Sequence, residues 1–319
     1  MTKRMRGNLL LLLAALIWGF SFVAQSEGMK YIGPFAFIGI RSMLAGVSLA
    51  AFIAVRELRK KTKNIGKKHG DPMSTATMTE ATEKKGQEKK NLVLGGCCCG
   101  IILFAATMLQ QIGIMHNNEP GKAGFITALY LIFVPLTGIF VRKKVGRKVW
   151  IAVALAVCGM YLLCIKGGLH MAVGDLYLLG CAFVFTAHIL VIDFFSPKVD
   201  GVAMSCIQFL LCGVLGMTGM FLTEQVELVH ILEAWLPLVF SGVFSGGVAY
   251  TLQIVAQKDT EPATASLLMS LESVFAVLGE WIILGEVLTE REFLGCALMF
   301  AGIILSQRPD KPGEKTTEI

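Results

Sequence analysis

A chain of 319 residues that is 55% hydrophobic and only 16% charged, with a mean hydropathy of +0.66, carries more apolar surface than one soluble core of that length can bury. The default is a polytopic membrane protein, and the net charge of +6 reports topology and contact with anionic lipid, with no call for nucleic acid. The nine cysteines all fall inside apolar segments without a repeated C-x-x-C spacing, so they are small packing residues, and neither a metal nor another cofactor is expected.

Ten apolar segments are long enough for a hydrocarbon layer about 30 Å thick. They cover roughly 8–25, 34–55, 92–115, 121–141, 149–165, 174–195, 202–223, 235–256, 262–284 and 291–307. The first, preceded by "MTKRMR", has the look of a secretory signal, and Trp18 lies well inside it, where it could wall a solute cavity or simply pack. In the second, Arg41 sits seven residues in, about 10 Å from the outer end; it either snorkels outward or binds a substrate carboxylate. Residues 56–91 are rich in Lys, Glu and Thr and predict a disordered cytoplasmic loop.

The third segment carries Gln111 near one end, and the eighth carries Gln253 near the other; the two could latch opposite gates or only bridge helices. Tyr130 in the fourth and Tyr250 in the eighth are further candidates for a cavity wall. His188, thirteen residues into the sixth, could relay protons or hydrogen-bond to a neighbouring helix. The runs "GVLGMTG" (213–219) and "SGVFSGG" (241–247) predict close helix packing. In the ninth segment Glu272 lies ten residues in, about 15 Å deep and so at the midplane. A carboxylate there costs roughly 2.5–3.5 kcal/mol on insertion scales, so it should face protein or water and have a partner. It either meets a cationic substrate group or a proton, or is a hydrogen-bonded structural glutamate. Glu280, Glu286 and Glu290 read as interfacial charges.

With the N-terminus inside, 24 of the 29 Lys and Arg residues fall on the inner side, four on the outer side, and Arg41 within a span. That asymmetry puts both termini in the cytoplasm under the positive-inside rule. The sequence also repeats. "GNLLLLLAAL" (7–16) aligns with "GDLYLLGCAF" (174–183), and "IRSMLAG" (40–46) with "IQFLLCG" (207–213), at an offset of 167, which places Arg41 on Gln208. "QIGIMHNNEPGKA" (111–123) aligns with "QIVAQKDTEPATA" (253–265) at an offset of 142, placing Gln111 on Gln253 and Glu119-Pro120 on Glu261-Pro262. Two units with an odd number of spans each enter the membrane from opposite faces. The expected fold is therefore all-α: ten transmembrane helices as two inverted five-helix repeats, 1–166 and 167–308, with a cytoplasmic tail over 309–319. The first span, having a partner in the sixth, stays in the mature protein.

"AALIWGFSFVAQ" in the first span, "GFITALYLIFVPL" in the fourth and "SLLMSLESVFAVLGEWIILGE" in the ninth resemble the signature segments of the EamA family in the drug/metabolite transporter superfamily. The resemblance covers the chain apart from 56–91 and the C-terminal tail. In the ninth span such proteins commonly read Leu-Glu-Pro, whereas Ser273 follows Glu272 here, which removes the proline expected to kink this side; Pro135 is a comparable breaker in the fourth. The resemblance implies a ten-helix transporter of small organic solutes, often amino acids or related metabolites, and often exporting them.

The functional expectation is a secondary transporter in a multi-pass cell membrane setting, working by alternating access around a midplane cavity. Candidate substrate-binding residues are Glu272, Arg41, Trp18, Tyr130, His188, Gln208 and Tyr250, with Gln111 and Gln253 as gates. Its partners would be a small-molecule substrate and the lipid bilayer, with protons, a counter-substrate and a homodimer left open. Nucleotide-sugar or other metabolite exchange is the alternative within the same superfamily. An embedded enzyme or a receptor is the alternative from another class, but the chain has no H-E-x-x-H, no G-x-S-x-G and no phosphate-cradling loop.

Overall fold

A backbone crossing lipid must satisfy its own N–H and C=O groups, and uncharged runs of Leu, Ile, Val and Phe do so as helices. The computed structural model of the protein describes residues 3–64, 75–117, 120–140, 146–165, 172–284 and 289–307, and among these there is no strand. The helices are α1 (Lys3–Gly28), α2 (Pro34–Asn64), α3 (Thr75–Asn117), α4 (Pro120–Thr127), α5 (Tyr130–Phe140), α6 (Arg147–Cys164) and α7 (Val173–Phe195). After a 3₁₀ turn follow α8 (Gly201–Thr223), α9 (Leu228–Glu233), α10 (Trp235–Val239), a π-helical stretch over Phe240–Ala249, α11 (Tyr250–Ala256), α12 (Pro262–Met269), α13 (Glu272–Leu284) and α14 (Glu290–Gln307).

Among the described residues, eight helical runs are long and apolar enough to cross a membrane, where the sequence predicts ten. The two outside that set are α6 and α14, each of 18 residues and each opening on charge, Arg147-Lys148 and Glu290-Arg291-Glu292. Their uncharged stretches are correspondingly short, and the two pack on one another.

The segment 56–91, expected to be disordered, is helical in α2 as far as Asn64 and again in α3 from Thr75. Interleaved Glu and Lys are good helix formers that can pair three or four residues apart, and a helix nucleated by a span extends into them cheaply. Lys60 donates to Glu57 at 2.9 Å and Gln87 to Asn91 at 3.0 Å on these extensions. Residues 65–74, Glu119, Glu286 and the tail 309–319 lie outside the described residues.

Two spans are broken at matched places. One parts between α4 and α5 at Ala128-Leu129, the other between α12 and α13 at Ser270-Leu271, and the offset is again 142. At each break the ladder tightens to three-residue bonds: Leu129 N–H to the Ile126 carbonyl at 3.2 Å, and Leu271 N–H to the Leu268 carbonyl at 3.3 Å. Proline is the cause of neither. Pro135 sits inside α5 past its break, and the other break forms with Ser273 where a proline was expected. There the Ser270 hydroxyl donates to the Leu267 carbonyl at 2.8 Å, the local competition with the backbone that bends helices.

The main packing pairs exchange under the same offsets. α2 lies along α8; α3 touches α7 and α8, while the π-helical stretch and α11 touch α1 and α2 in the corresponding way. Small residues set the spacing: a Cβ on Gly216 would stand 2.6 Å from the Gly39 Cα, so α2 and α8 approach backbone to backbone. A Cβ on Gly242 would fall 2.7 Å from the Arg41 carbonyl oxygen, and one on its counterpart Gly100 would fall 3.0 Å from the carbonyl oxygen of Gln208, the counterpart of Arg41. The glycine runs 213–219 and 241–247 thus act as the close-packing surfaces the sequence suggests.

Candidate functional site

The two broken spans meet. Tyr130 and Glu272 are the first residues of α5 and α13, so each projects from the start of a half-helix, where freed N–H groups and the positive dipole end lie. The Tyr130 hydroxyl donates to Glu272 Oε1 at 3.0 Å across 142 residues of sequence. The pair therefore joins two residues that are one another's counterparts, and both are buried, at 4% and 5% exposure.

Around this pair lies a cavity partly open to solvent. Its aromatic wall is Trp18 with Tyr250, ring centroids 4.7 Å apart and edge to face. Trp18 Nε1 donates to the Ser245 carbonyl at 3.3 Å, so the π-helical stretch, whose wider ladder displaces carbonyls sideways, anchors the indole. Several linings come in matched pairs: Trp18 with Phe185, Phe22 with Ile189, and Thr127 with Met269.

Of the residues singled out in the sequence, Glu272, Arg41, Trp18, Tyr130, Tyr250 and Gln253 line this one cavity. His188 and Gln208 do not. They sit behind it, His188 Nε2 bonded to Gln208 Oε1 at 3.2 Å and the imidazole packed edge-on against Tyr250 at 5.9 Å. Gln111 is fully buried and does not line the cavity, whereas its counterpart Gln253 does. The structure adds Ser21, Phe22, Gln25, Gln110, Thr127, Phe185 and Ile189. A signal for the α1 members was available, since Trp18, Ser21, Phe22 and Gln25 form one helical stripe.

Charge in the cavity is arranged without being cancelled. Arg41 is 8% exposed, with its guanidinium 5.5 Å from the Phe37 ring centroid, and among the described residues no ion pair includes Arg41 or Glu272. A buried guanidinium and a buried carboxyl that share a cavity without joining are free to engage opposite charges on a solute. Away from the cavity, Lys122 at the start of α4 pairs with Asp175 at the start of α7 at 2.7 Å, and Asp175 also accepts from the Ala172 N–H at 2.8 Å. Asp175 is only 3% exposed, so this pair ties the two helix ends together.

The model of the EamA-like transporter family matches residues 5–165 and 172–307. Among curated relatives, an uncharacterized transporter of Archaeoglobus fulgidus is 28% identical over 95% of this chain and 86% of its own length. The uncharacterized transporter YoaV of Bacillus subtilis is 24% identical over 91% of this chain and 93% of its own. The uncharacterized inner membrane transporter YedA of Escherichia coli K12 is 22% identical, with coverages of 91% and 87%. A protein crystal structure superposes with a TM-score of 0.68 at 16% identity, over 94% of this chain and 97% of that one, a likeness of fold.

Proposed function

Because the chain belongs to the EamA-like transporter family, we propose that it is a secondary transporter of small organic solutes, with amino acids or related metabolites as substrates and export as the favoured direction. In this reading α6 and α14 complete a set of ten spans, divided into two oppositely inserted five-helix units over 1–166 and 167–308, with both termini cytoplasmic. The units rock about the cavity between them and expose it alternately to each face. The solute gradient, proton exchange or a counter-substrate supplies the drive.

The observation that carries the reading is the Tyr130–Glu272 hydrogen bond, made by counterpart residues at counterpart breaks in counterpart helices. Discontinuous helices that aim half-helix ends at a central site are what a transporter uses to meet a polar solute in a lipid environment. Glu272 is the group we assign to the solute's cationic end or to the coupled proton, with Tyr130 holding it in place; Arg41, Trp18 and Tyr250 complete the wall.

Flux from reconstituted vesicles tests this. Vesicles containing the protein and loaded with a mixed pool of amino acids and related metabolites should release some of them faster than protein-free vesicles. The Glu272→Gln variant should lose the pH dependence of that release. Absence of protein-dependent release of any component would refute the transport reading, and an unchanged pH profile in Glu272→Gln would remove that carboxylate from coupling.

A further inference from the structure

Ser245, Gln253 and Glu272 bring polar groups to the cavity from the later helices, and a separate polar cluster with the cavity's guanidinium is built by α1, α2 and α3. On α1, Ser21 and Gln25 are one turn apart on the stripe that lines it, at 1% and 4% exposure, and the Ser21 Oγ and Gln25 Oε1 atoms have no hydrogen-bond partner. Arg41 of α2 and Gln110 of α3 line the same cavity, and among the described residues no carboxylate pairs with Arg41. Unpaired guanidinium and unsatisfied hydroxyl and amide groups are costly to bury, so this cluster makes physical sense when something fills it. On α7, at the positions matched to α1, this polarity is not repeated in the cavity wall. The counterparts of Trp18 and Phe22 are Phe185 and Ile189, which do line the cavity, whereas those of Ser21 and Gln25 are His188 and Ile192, which do not. Gln208, the counterpart of Arg41, is already engaged by His188.

We infer that the cavity takes an amphipathic carboxylate: Arg41, with Ser21, Gln25 and Gln110, holds the carboxylate, and Phe185 and Ile189 receive an apolar body. The inference rests on the transport reading of this same cavity and narrows its substrate class. The guanidinium fork matches a carboxylate bidentately, and the Ser21 hydroxyl donates a further hydrogen bond. Gln25 supplies its amide N–H₂ to the carboxylate, or its amide oxygen to an N–H or O–H beside it. A neutral amide of the same shape cannot neutralise Arg41 and leaves that charge buried and unpaired.

The purified full chain, titrated with 4-methylpentanoate and 3-phenylpropanoate and with the amide of each, gives the test; binding is read from tryptophan fluorescence and from thermal unfolding. The carboxylates should bind roughly thirtyfold or more tightly than their amides, the scale expected for completing a buried charge pair. Arg41→Gln, which installs the residue found at the counterpart position, should bring that ratio close to one. Arg41→Lys, keeping the charge without the fork, should retain part of the preference, and Gln25→Leu should weaken carboxylate binding in a protein whose charge is unchanged. The latter two variants carry the test should Arg41→Gln fail to fold. Equal binding of acid and amide, no response to either acid, or a preference that survives loss of Arg41 or is indifferent to Gln25 overturns the inference. Protein-dependent flux from the mixed-pool vesicles alongside any of those results would sink the carboxylate subsite alone, whereas no flux of any component would sink the transport reading.

Discussion

Removing the Tyr130 hydroxyl isolates the hydrogen bond that joins α5 to α13. Tyr130→Phe deletes the donor to Glu272 Oε1 at 3.0 Å and leaves the ring in its buried setting. A hydrogen bond to a charged acceptor contributes about 1.5–3 kcal/mol, and one to a neutral acceptor about 0.5–1.5 kcal/mol. In a Glu272→Gln background the acceptor keeps its shape but loses its charge, so the same deletion should cost only the smaller amount. The difference, on the order of 1 kcal/mol, is the coupling that reports an ionised carboxylate; it vanishes if the carboxyl is held protonated. Equilibrium unfolding of the four proteins of this cycle in mixed micelles measures it. A loss below about 0.5 kcal/mol for Tyr130→Phe in the parent would refute the claim that this bond fastens α5 to α13. The double exchange Tyr130→Glu with Glu272→Tyr restores the same two partners from opposite helices. It should recover part of the stability that each single change loses.

Three further outcomes follow from the geometry. Disrupting the buried Lys122–Asp175 pair with Lys122→Ala should loosen the ends of α4 and α7, read as increased labelling of a cysteine introduced at Gly174; unchanged labelling would show that the pair does not hold that end closed. Burial pushes the Asp200 carboxyl up, but hydrogen bonds from the Ala203 N–H and Arg56, the Arg56 charge and the Val202 N–H outweigh it and hold the group below its ordinary value. A carboxylate with a depressed folded-state pKa adds stability that is present above its unfolded value and lost as pH falls through its folded one, so Asp200→Asn should cost stability at neutral pH, converge with the parent in acid and thereby flatten the acid side of the stability profile. A parallel acid limb in parent and variant would contradict this. Gly216→Leu should be among the most damaging single changes outside the cavity, since even a Cβ there would meet the Gly39 Cα at 2.6 Å; normal yield and melting temperature in that variant would overturn the close α2–α8 approach.

Much of the fold is legible in the residues because insertion into lipid is decided segment by segment. Composition over about twenty residues sets which runs become helices, and the offsets of 167 and 142 already pair Arg41 with Gln208 and Gln111 with Gln253. The shared face of Trp18, Ser21, Phe22 and Gln25 follows from counting along a helix. Rotation of each helix about its axis is another matter, being set by how neighbouring surfaces interlock. Only tertiary packing turned His188 behind Tyr250 and onto Gln208, left Arg41 facing the cavity with no carboxylate paired to it among the described residues, and removed Gln111 from the wall where Gln253 remained. The break before Glu272 is of the same kind. No proline encodes it, and the matched break has Ala128 where this one has Ser270, so the hydroxyl bond to Leu267 accompanies a break at which α12 and α13 part and Glu272 reaches Tyr130. Burial in lipid is a property of a stretch of chain, whereas a hydrogen bond across 142 residues exists only once two helices have taken up one mutual orientation.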